Sequence, residues 1–318
     1  LAAVLVVGFA VRAQISLVPD FLTGADGAYY LVQVRAILRH GRLAIPDFPF
    51  IFYLQAGLAW ILSLGMDPEA SIVAAVRWID AVMPGLLAVP VCLFVRRFSQ
   101  SHSHRHGPIL AMILGGLLAT TSFSPLWMAG GAIKNGCVLP FSLLAIYYLF
   151  LILERSGRYS VMLTLAAVLI SSLTHVSALA LNATLMVLVV VISMVMPTMR
   201  PLIWRPALGL SALLLVIVST VLVLDPARGW RFLGVLAHPE RFFAGSPVIA
   251  WLQGMETLRF ESVFSLPVFW SGNALGLLGL YTLWRYCSRV NGATCLILWT
   301  TTLTTILFSC PLLAPDLL

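Results

Sequence analysis

Long apolar runs separated by short polar stretches dominate the pattern along this chain. The ten runs lie at 1–18 (interrupted by Arg12), 48–65, 72–95, 108–128, 136–153, 160–174, 176–196, 207–224, 266–284 and 293–313. Most are long enough for a tilted helix across a hydrocarbon core of roughly 30 Å, at about 1.5 Å per residue. Helices are the expected elements because lipid satisfies no backbone hydrogen bonds.

This pattern predicts the fold class and the domain organisation. We expect an all-α polytopic membrane protein with about nine transmembrane helices and, in addition, juxtamembrane or re-entrant helices. The chain is expected to form a single transmembrane domain over 1–318. Two longer polar stretches, 19–47 and 225–265, contain helix-like apolar spacing and should pack on the membrane surface.

A short amphipathic helix is predicted within the first polar stretch. Asp26 stands where an N-cap would, and Gly41 stands where a helix would end. The apolar stripe of this helix has the spacing i, i+4, i+7 and i+8 and consists of Tyr30, Val34, Ile37 and Leu38. We therefore predict an interfacial helix with a carboxylate at its leading end.

Composition excludes two broad classes of protein. Hydrophobic residues make up 60% of the chain, charged residues only 10%, and the mean hydropathy is +1.00. Soluble domains carry roughly 25% charged residues, so an ordinary water-soluble enzyme is excluded, as is a disordered chain. The net charge of +7 comes largely from arginines in short loops, which are expected to set topology rather than bind nucleic acid.

The distribution of arginine predicts the orientation. Four basic loops, each separated from the next by two apolar runs, contain Arg96, Arg97, Arg105, Arg155, Arg158, Arg200, Arg205, Arg285 and Arg289. All four loops are expected on the cytoplasmic side. The long loop 225–265, Lys134 and the junction near His175 are then expected outside. The side of loop 19–47 depends on whether the run 48–65 crosses the membrane, and its length leaves both answers open.

One stretch carries a resemblance to a known family. It reads Asp26-x-x-Tyr-Tyr-x-x-x-x-Arg35-x-Ile-Leu-x-His-Gly, then a Pro-rich aromatic segment from Pro46 to Tyr53, then a span that ends in Arg96-Arg97. Over residues 1 to about 195 the chain resembles the membrane glycosyltransferases of the GT-C class. This class includes protein O-mannosyltransferases, aminoarabinose transferases and oligosaccharyltransferase catalytic subunits. The resemblance makes 48–65 juxtamembrane or re-entrant, so that 19–65 forms the first external loop and 225–265 the second.

The resemblance also implies the site residues. Asp26 corresponds to the catalytic or metal-binding carboxylate of the class, and Thr174-His175 matches the end of its fifth span. The expected substrate-binding residues are Tyr29, Tyr30, Asp47, Lys134, His175, Arg228, Arg231, Arg241 and Arg259. The cations would stabilise a leaving phosphate. If a divalent ion takes part, Mg²⁺ or Mn²⁺ would bind Asp26 and Asp47 through hard oxygen ligands.

The expected function is transfer of a sugar from a polyprenyl-phosphate donor to an acceptor on the non-cytoplasmic side of a plasma membrane or its equivalent. The expected partners are the lipid-linked donor and the bilayer, and nucleic acid is not among them. Two alternatives stay open: a non-catalytic membrane subunit that keeps a GT-C-like scaffold beside a partner subunit, and a lipid or solute transporter.

Within run 72–95, Arg77 and Asp80 have a spacing that favours a mutual ion pair.

Overall fold

The computed structural model describes residues 1–18, 27–99, 107–121, 133–154, 159–195 and 200–224, with the single residues 226, 230 and 295. These residues form helices and contain no strand, which confirms the all-α prediction. The helices are α1 (Ala2–Ser16), α2 (Gly27–His40), α3 (Phe50–Leu62), α4 (Pro68–Gly85), α5 (Ala88–Ser99), α6 (Gly107–Thr121), α7 (Ile133–Leu153), α8 (Ser160–Thr174), α9 (Val176–Val195) and α10 (Arg200–Leu224).

One helical stretch of the described chain is long and apolar enough to cross a membrane. It runs from Pro68 to Arg97 and joins α4 to α5. The other apolar helical segments found among the described residues are 10–17 residues long, among them Phe50–Leu62 in α3 and Gly136–Ile152 in α7. The number of spans therefore stays a prediction.

The described residues divide into two compact units. The first comprises Leu1–Tyr147 with Ala166–Ala178, and the second comprises Tyr148–Leu165 with Leu179–Leu318. In the second unit, Leu165 of α8 approaches Gly209 of α10, where a Cβ would lie 3.9 Å from the Leu165 Cδ2 atom. The prediction of a single domain is not decided by this division. The first unit contains the candidate site.

Glycines bring the helices of the first unit close together. A Cβ at Gly116 of α6 would lie 2.7 Å from Val4 Cγ1 of α1 and 2.8 Å from Cys92 Sγ of α5. A Cβ at Gly8 of α1 would lie 2.9 Å from the side chain of Thr120. Small residues at helix contacts are typical of helices that associate in membranes, because they let the backbones approach.

The same contacts fix the directions of the helices. Val4 lies near Cys92 and Ser16 near Asp80, so α1 runs opposite to α4 and α5. The proximity of Val4 to Gly116, with that of Gly8 to Thr120, makes α6 parallel to α1.

Helix α7 runs in the direction of α4 and α5. A Cβ at Gly136 would lie 3.0 Å from Pro84 Cγ, and the rings of Phe94 and Tyr147 lie 5.2 Å apart. We call α1, α4, α5, α6 and α7 the bundle. In it, α1 and α6 run one way while α4–α5 and α7 run the other.

Helices α2 and α3, with the connecting residues 41–49, form what we call the cap. The cap packs against the first half of α4 and the first turn of α7. The shared core has aromatic and aliphatic side chains, among them Tyr30, Val34, Ile37, Ile51, Phe52, Ala56, Ile72, Val76, Ile79 and Ile133. The cap thus lies at the end of the bundle where α1 and α6 end and where α7 begins.

The start of α4 is set by local chemistry. Asp67 is the N-cap, and its carboxylate accepts hydrogen bonds from the amides of Glu69 and Ala70, both at 3.0 Å. Pro68 follows at the first helical position, where its missing N–H costs nothing. Glu69 then accepts hydrogen bonds from Arg35 of α2, the shortest at 2.5 Å, which joins the cap to α4 at the surface.

Candidate functional site

The amphipathic helix predicted after Asp26 is α2. Tyr30, Val34 and Ile37 of the predicted stripe are buried, whereas Leu38 is 39% exposed. The helix ends before Gly41, which has a φ of +70°. That conformation is strained for residues with a Cβ, so glycine ends the helix here at little cost. The hydroxyl of Tyr53 in α3 donates to the Gly41 carbonyl at 3.0 Å.

Gln33 joins α2 to the connecting segment that follows it. Its side chain is fully buried. Its Oε1 atom accepts hydrogen bonds from the amides of Ala44 and Ile45, at 2.9 and 3.2 Å, and its Nε2 donates to the Ile45 carbonyl at 2.8 Å. The same Nε2 donates to the Tyr29 hydroxyl at 2.8 Å. Gln33 therefore holds both Tyr29 and the segment that leads to Asp47.

Asp47 is the centre of the polar cluster. Its Oδ1 atom accepts the Phe48 amide at 2.7 Å, and its Oδ2 accepts the Tyr29 hydroxyl at 2.5 Å. The Lys134 ammonium donates to the same Oδ2 atom and forms an ion pair with it. The side chains of Asp47 and Lys134 are only 12% and 11% exposed, so the pair is largely shielded from solvent.

Lys134 reaches Asp47 from the first turn of α7. Its backbone amide is one of the helix-start N–H groups without an intrahelical partner, and it donates to the Tyr30 hydroxyl at 3.2 Å. Its Nζ atom lies 4.5 Å from the ring centroid of Phe52 and 5.8 Å from that of Tyr29. Aromatic faces attract a cation at this range. The aromatic side chains thus help to hold the ammonium away from water.

The electrostatic environment keeps Asp47 ionised. Burial raises the pKa of the Asp47 carboxyl, but the Lys134 ammonium, the Tyr29 hydroxyl and the Phe48 amide outweigh burial, so that the pKa lies below its ordinary value. The arrangement can therefore present a carboxylate and an ammonium side by side at the edge of the cap.

The described part of this cluster does not fit a divalent cation. Both oxygens of Asp47 already accept hydrogen bonds, and one of them faces an ammonium that would repel Mg²⁺ or Mn²⁺. No group of three His, Cys, Asp or Glu side chains with metal-binding geometry occurs among the described residues. The described surroundings of Asp47 therefore do not support the expected metal there.

The predicted site residues fall into three groups. Tyr29, Tyr30, Asp47 and Lys134 are brought together. His175 lies half-buried at the junction of α8 and α9. Outside the described residues lie Asp26, Arg228, Arg231, Arg241 and Arg259.

A second buried polar cluster lies inside the bundle. The Ser16 hydroxyl of α1 donates to Asp80 Oδ2 of α4 at 2.6 Å, and Arg12 of α1 attracts the same carboxylate electrostatically. Arg12 and Asp80 are 0% and 2% exposed. The expected partner of Asp80, Arg77, is half-buried, and within the described chain its Nε and Nη2 atoms have no hydrogen-bond partner. Asp80 thus interacts with α1 instead of forming the predicted pair within α4.

Sequence reasoning missed Gln33 and Phe52. A glutamine on the apolar side of an amphipathic helix, four residues after Tyr29, was the available signal for Gln33. Phe52 lies in an aromatic run in which no residue stands out.

Comparison with protein-family models, with curated proteins and with solved structures gives no match for this chain.

Proposed function

We propose that this chain is an integral-membrane glycosyltransferase of GT-C-like architecture. It would transfer a sugar from a polyprenyl-phosphate donor to an acceptor on the non-cytoplasmic side, with about nine spans and with α2 and α3 juxtamembrane. One observation carries the proposal: Tyr29, Tyr30, Asp47 and Lys134, expected at the site because of the resemblance, converge on one cluster although Asp47 and Lys134 are 87 positions apart.

The ion pair supports the proposed topology. Between Asp47 and Lys134 the described residues form α3, the α4–α5 stretch and α6. If α4–α5 and α6 each cross the membrane, two crossings return the chain to its starting side. Residues in contact must share a side, so α3 would then not cross. This argument favours an external loop 19–47 independently of the resemblance.

The depth of the cluster supports an interfacial site. From Asp80, where α1 meets α4, to Arg97 the helical rise is about 26 Å, close to the roughly 30 Å of a hydrocarbon core. Arg96 and Arg97 lie at one end of this length, as expected for the cytoplasmic boundary. The Asp47–Lys134 pair lies at the other end, where a lipid-linked donor would present its phosphate.

The proposed chemistry needs a base and a cation. Asp26, directly before the first residue of α2, would accept the proton of the acceptor hydroxyl or amide as that group attacks the anomeric carbon. The bond between this carbon and the phosphate oxygen breaks, and its electron pair leaves with the polyprenyl phosphate. Lys134 would stabilise the developing phosphate charge, and Tyr29 and Asp47 would hold Lys134 in place before the donor arrives.

Sugar transfer by the purified full chain in liposomes tests the proposal. Polyprenyl-phosphate mannose and polyprenyl-phosphate aminoarabinose are the donors that the resemblance suggests, and release of polyprenyl phosphate is the readout. We expect Asp26→Asn to reduce release at least about 100-fold, in the range ascribed to general bases. Asp67→Asn is the matched control, since asparagine also caps helices. Asp26→Asn with wild-type rates would refute the role of Asp26.

A second candidate is a non-catalytic subunit with the same scaffold. The specific observation in its favour is that Asp47 and Lys134 satisfy each other, as a purely structural pair would. This candidate predicts no release of polyprenyl phosphate by the chain alone. It also predicts co-purification with a catalytically complete membrane protein, and that Asp26→Asn does not impair the activity of the resulting complex.

A further inference from the structure

Arg77 is a half-buried cation, and the ion pairs among the described residues do not include it. It lies on α4, and within the described residues its buried Nε and Nη2 atoms have no hydrogen-bond partner. Asp80, at the spacing that favours pairing, interacts with Ser16 and Arg12 instead. Buried guanidinium N–H groups are normally satisfied, so such a group needs an explanation. Intramembrane cations often mark a binding site.

The helix register gives the face on which Arg77 lies. Arg77, Asp80 and Pro84 are at i, i+3 and i+7, so they share one side of α4. Asp80 meets α1, and Pro84 meets Gly136 at the start of α7. Arg77 therefore lies on the side of α4 that faces α1 and α7.

The register also gives its depth. Arg77 is about 4.5 Å farther along the helix axis than Asp80, toward the cap. Pro84 of α4 and Gly136 of α7 are in contact and so mark a common level along the two helices. From that level Arg77 lies about 10 Å toward the cap, and Lys134 lies about 3 Å in the same direction. Arg77 is thus at the same end of the bundle as Lys134. If Asp80 marks the hydrocarbon boundary, Arg77 is at the depth of phosphate groups, since the headgroup layer adds about 5–7 Å on each side.

Lys134 and Arg77 differ in the interactions that each would have to give up to bind an anion. Lys134 must weaken an ion pair with Asp47 and its contact with the Phe52 ring. The Nε and Nη2 atoms of Arg77 have no hydrogen bond to lose within the part of the chain that the structure describes, and they would gain partners if the side chain turned toward an anion. A guanidinium matches a phosphate in shape, because two parallel N–H groups can bind two oxygens.

We propose that Arg77 binds the phosphate group of a polyprenyl-phosphate ligand. The proposal rests on the proposed function for the identity of the lipid, but phosphate binding does not require that transfer occurs. A phosphate can come from the lipid-linked donor, from a bilayer phospholipid or from solution, and the test separates these sources.

The test measures ligand-induced thermal stabilisation of the full chain in phosphatidylcholine nanodiscs. The probe is farnesyl phosphate, with farnesol, inorganic phosphate and added phosphatidylglycerol as separate arms. We expect farnesyl phosphate to raise Tm saturably, and farnesol to leave it unchanged. In Arg77→Gln the apparent Kd should rise at least about tenfold, as expected for loss of a charged hydrogen bond. Arg39→Gln, which removes a surface arginine paired with Glu69, is the matched control and should bind like wild type.

A second variant separates binding from a structural role. Arg77→Met removes the unsatisfied N–H groups, so its Tm without ligand should equal or exceed that of wild type. A marked fall in that Tm would show that Arg77 holds the fold and would overturn the proposal. Unchanged farnesyl phosphate binding by Arg77→Gln would overturn it too.

The remaining arms decide the source of the phosphate. An equal Arg77-dependent shift with inorganic phosphate or with phosphatidylglycerol would overturn assignment to a lipid-linked donor. Arg77-dependent binding of farnesyl phosphate without any sugar transfer would leave the phosphate site intact and refute the proposed function alone. Transfer activity together with Arg77-independent binding would refute only this inference.

Discussion

The cap and the bundle each bury a carboxylate, and they stabilise it with similar groups. Asp47 in the cap accepts a tyrosine hydroxyl and pairs with Lys134, whereas Asp80 in the bundle accepts a serine hydroxyl and attracts Arg12. The segments that supply the partners differ. Ser16 and Arg12, the partners of Asp80 named here, both belong to α1, whereas the named partners of Asp47 belong to α2, to a connecting segment and to α7.

This difference separates two structural roles. The bundle cluster lies between α1 and α4, and Gly136 in the first turn of α7 approaches both Arg12 and Pro84, so three helices are closely packed around it. The cap cluster depends on residues 41–49, which Gln33 holds through side-chain hydrogen bonds to their backbone. We infer that the bundle provides rigidity and that the cap is the part able to rearrange around a ligand.

The largest effect is expected from removing the bundle carboxylate. Asp80→Ala removes the carboxylate that attracts the buried Arg12, which should destabilise the folded state by about 3–5 kcal/mol. Chemical denaturation in detergent, followed by tryptophan fluorescence, measures this loss. The double variant Arg12→Met with Asp80→Leu should recover most of the stability, because it removes both charges. Equal stability of Asp80→Ala and wild type would contradict the role assigned to the bundle cluster.

A smaller effect is expected from one extra methyl group in each region. At Gly116 of the bundle the new Cβ would lie within 3 Å of Val4 and Cys92, so Gly116→Ala should cost about 1–3 kcal/mol. At Gly57 of the cap a Cβ meets nothing within 4 Å. Gly57→Ala should therefore stabilise α3 by about 0.5–1 kcal/mol. The same denaturation assay measures both variants. If Gly116→Ala and Gly57→Ala changed the free energy of unfolding in the same direction, the difference in packing between the bundle and the cap would be refuted.

The smallest effect concerns the pH dependence of the cap. The pKa of Asp47 is lowered on folding, so its stabilising contribution is present above the unfolded pKa of about 3.9 and is lost as the pH falls through the folded pKa. Lys134→Met removes the strongest influence that lowers this pKa, so the acid-induced fall in Tm should become smaller. Thermal unfolding between pH 3 and 7 measures it, and Asp47→Asn, which cannot titrate here, is the control. A steeper fall in Lys134→Met would contradict this account.

Much of the helical framework could be predicted from apolar periodicity alone. The predicted run 160–174 coincides with α8, and the predicted helix after Asp26 ends before Gly41 as expected. The run 72–95 proves to be two helices, because α4 ends at Gly85 and α5 begins at Ala88. Pro90 follows the interruption by four residues, and a proline ring removes a donor and clashes with the carbonyl four positions earlier, here that of Leu86. Periodicity describes one helix at a time, so it could not foresee this interruption or the packing of α1 on α4.

The partners of the polar side chains could be predicted less well. The spacing of Arg77 and Asp80 describes proximity along one helix, but the serine that binds Asp80 is 64 positions away. Gln33 was missed because a glutamine is usually solvated, and here the backbone of residues 44 and 45 replaces water. The convergence of Asp47 and Lys134 followed from the resemblance to a family, since no local pattern links them.

The first turn of α7 belongs to both regions. Lys134 points to the cap, whereas Gly136, two positions later, touches the bundle at Pro84. The next residue, Cys137, is fully buried in the core shared with α2, α3 and α4. A rotation or shift of α7 that draws its ammonium toward a ligand must therefore also disturb the contact at Pro84, so occupancy at the cap would be mechanically coupled to the interior of the bundle.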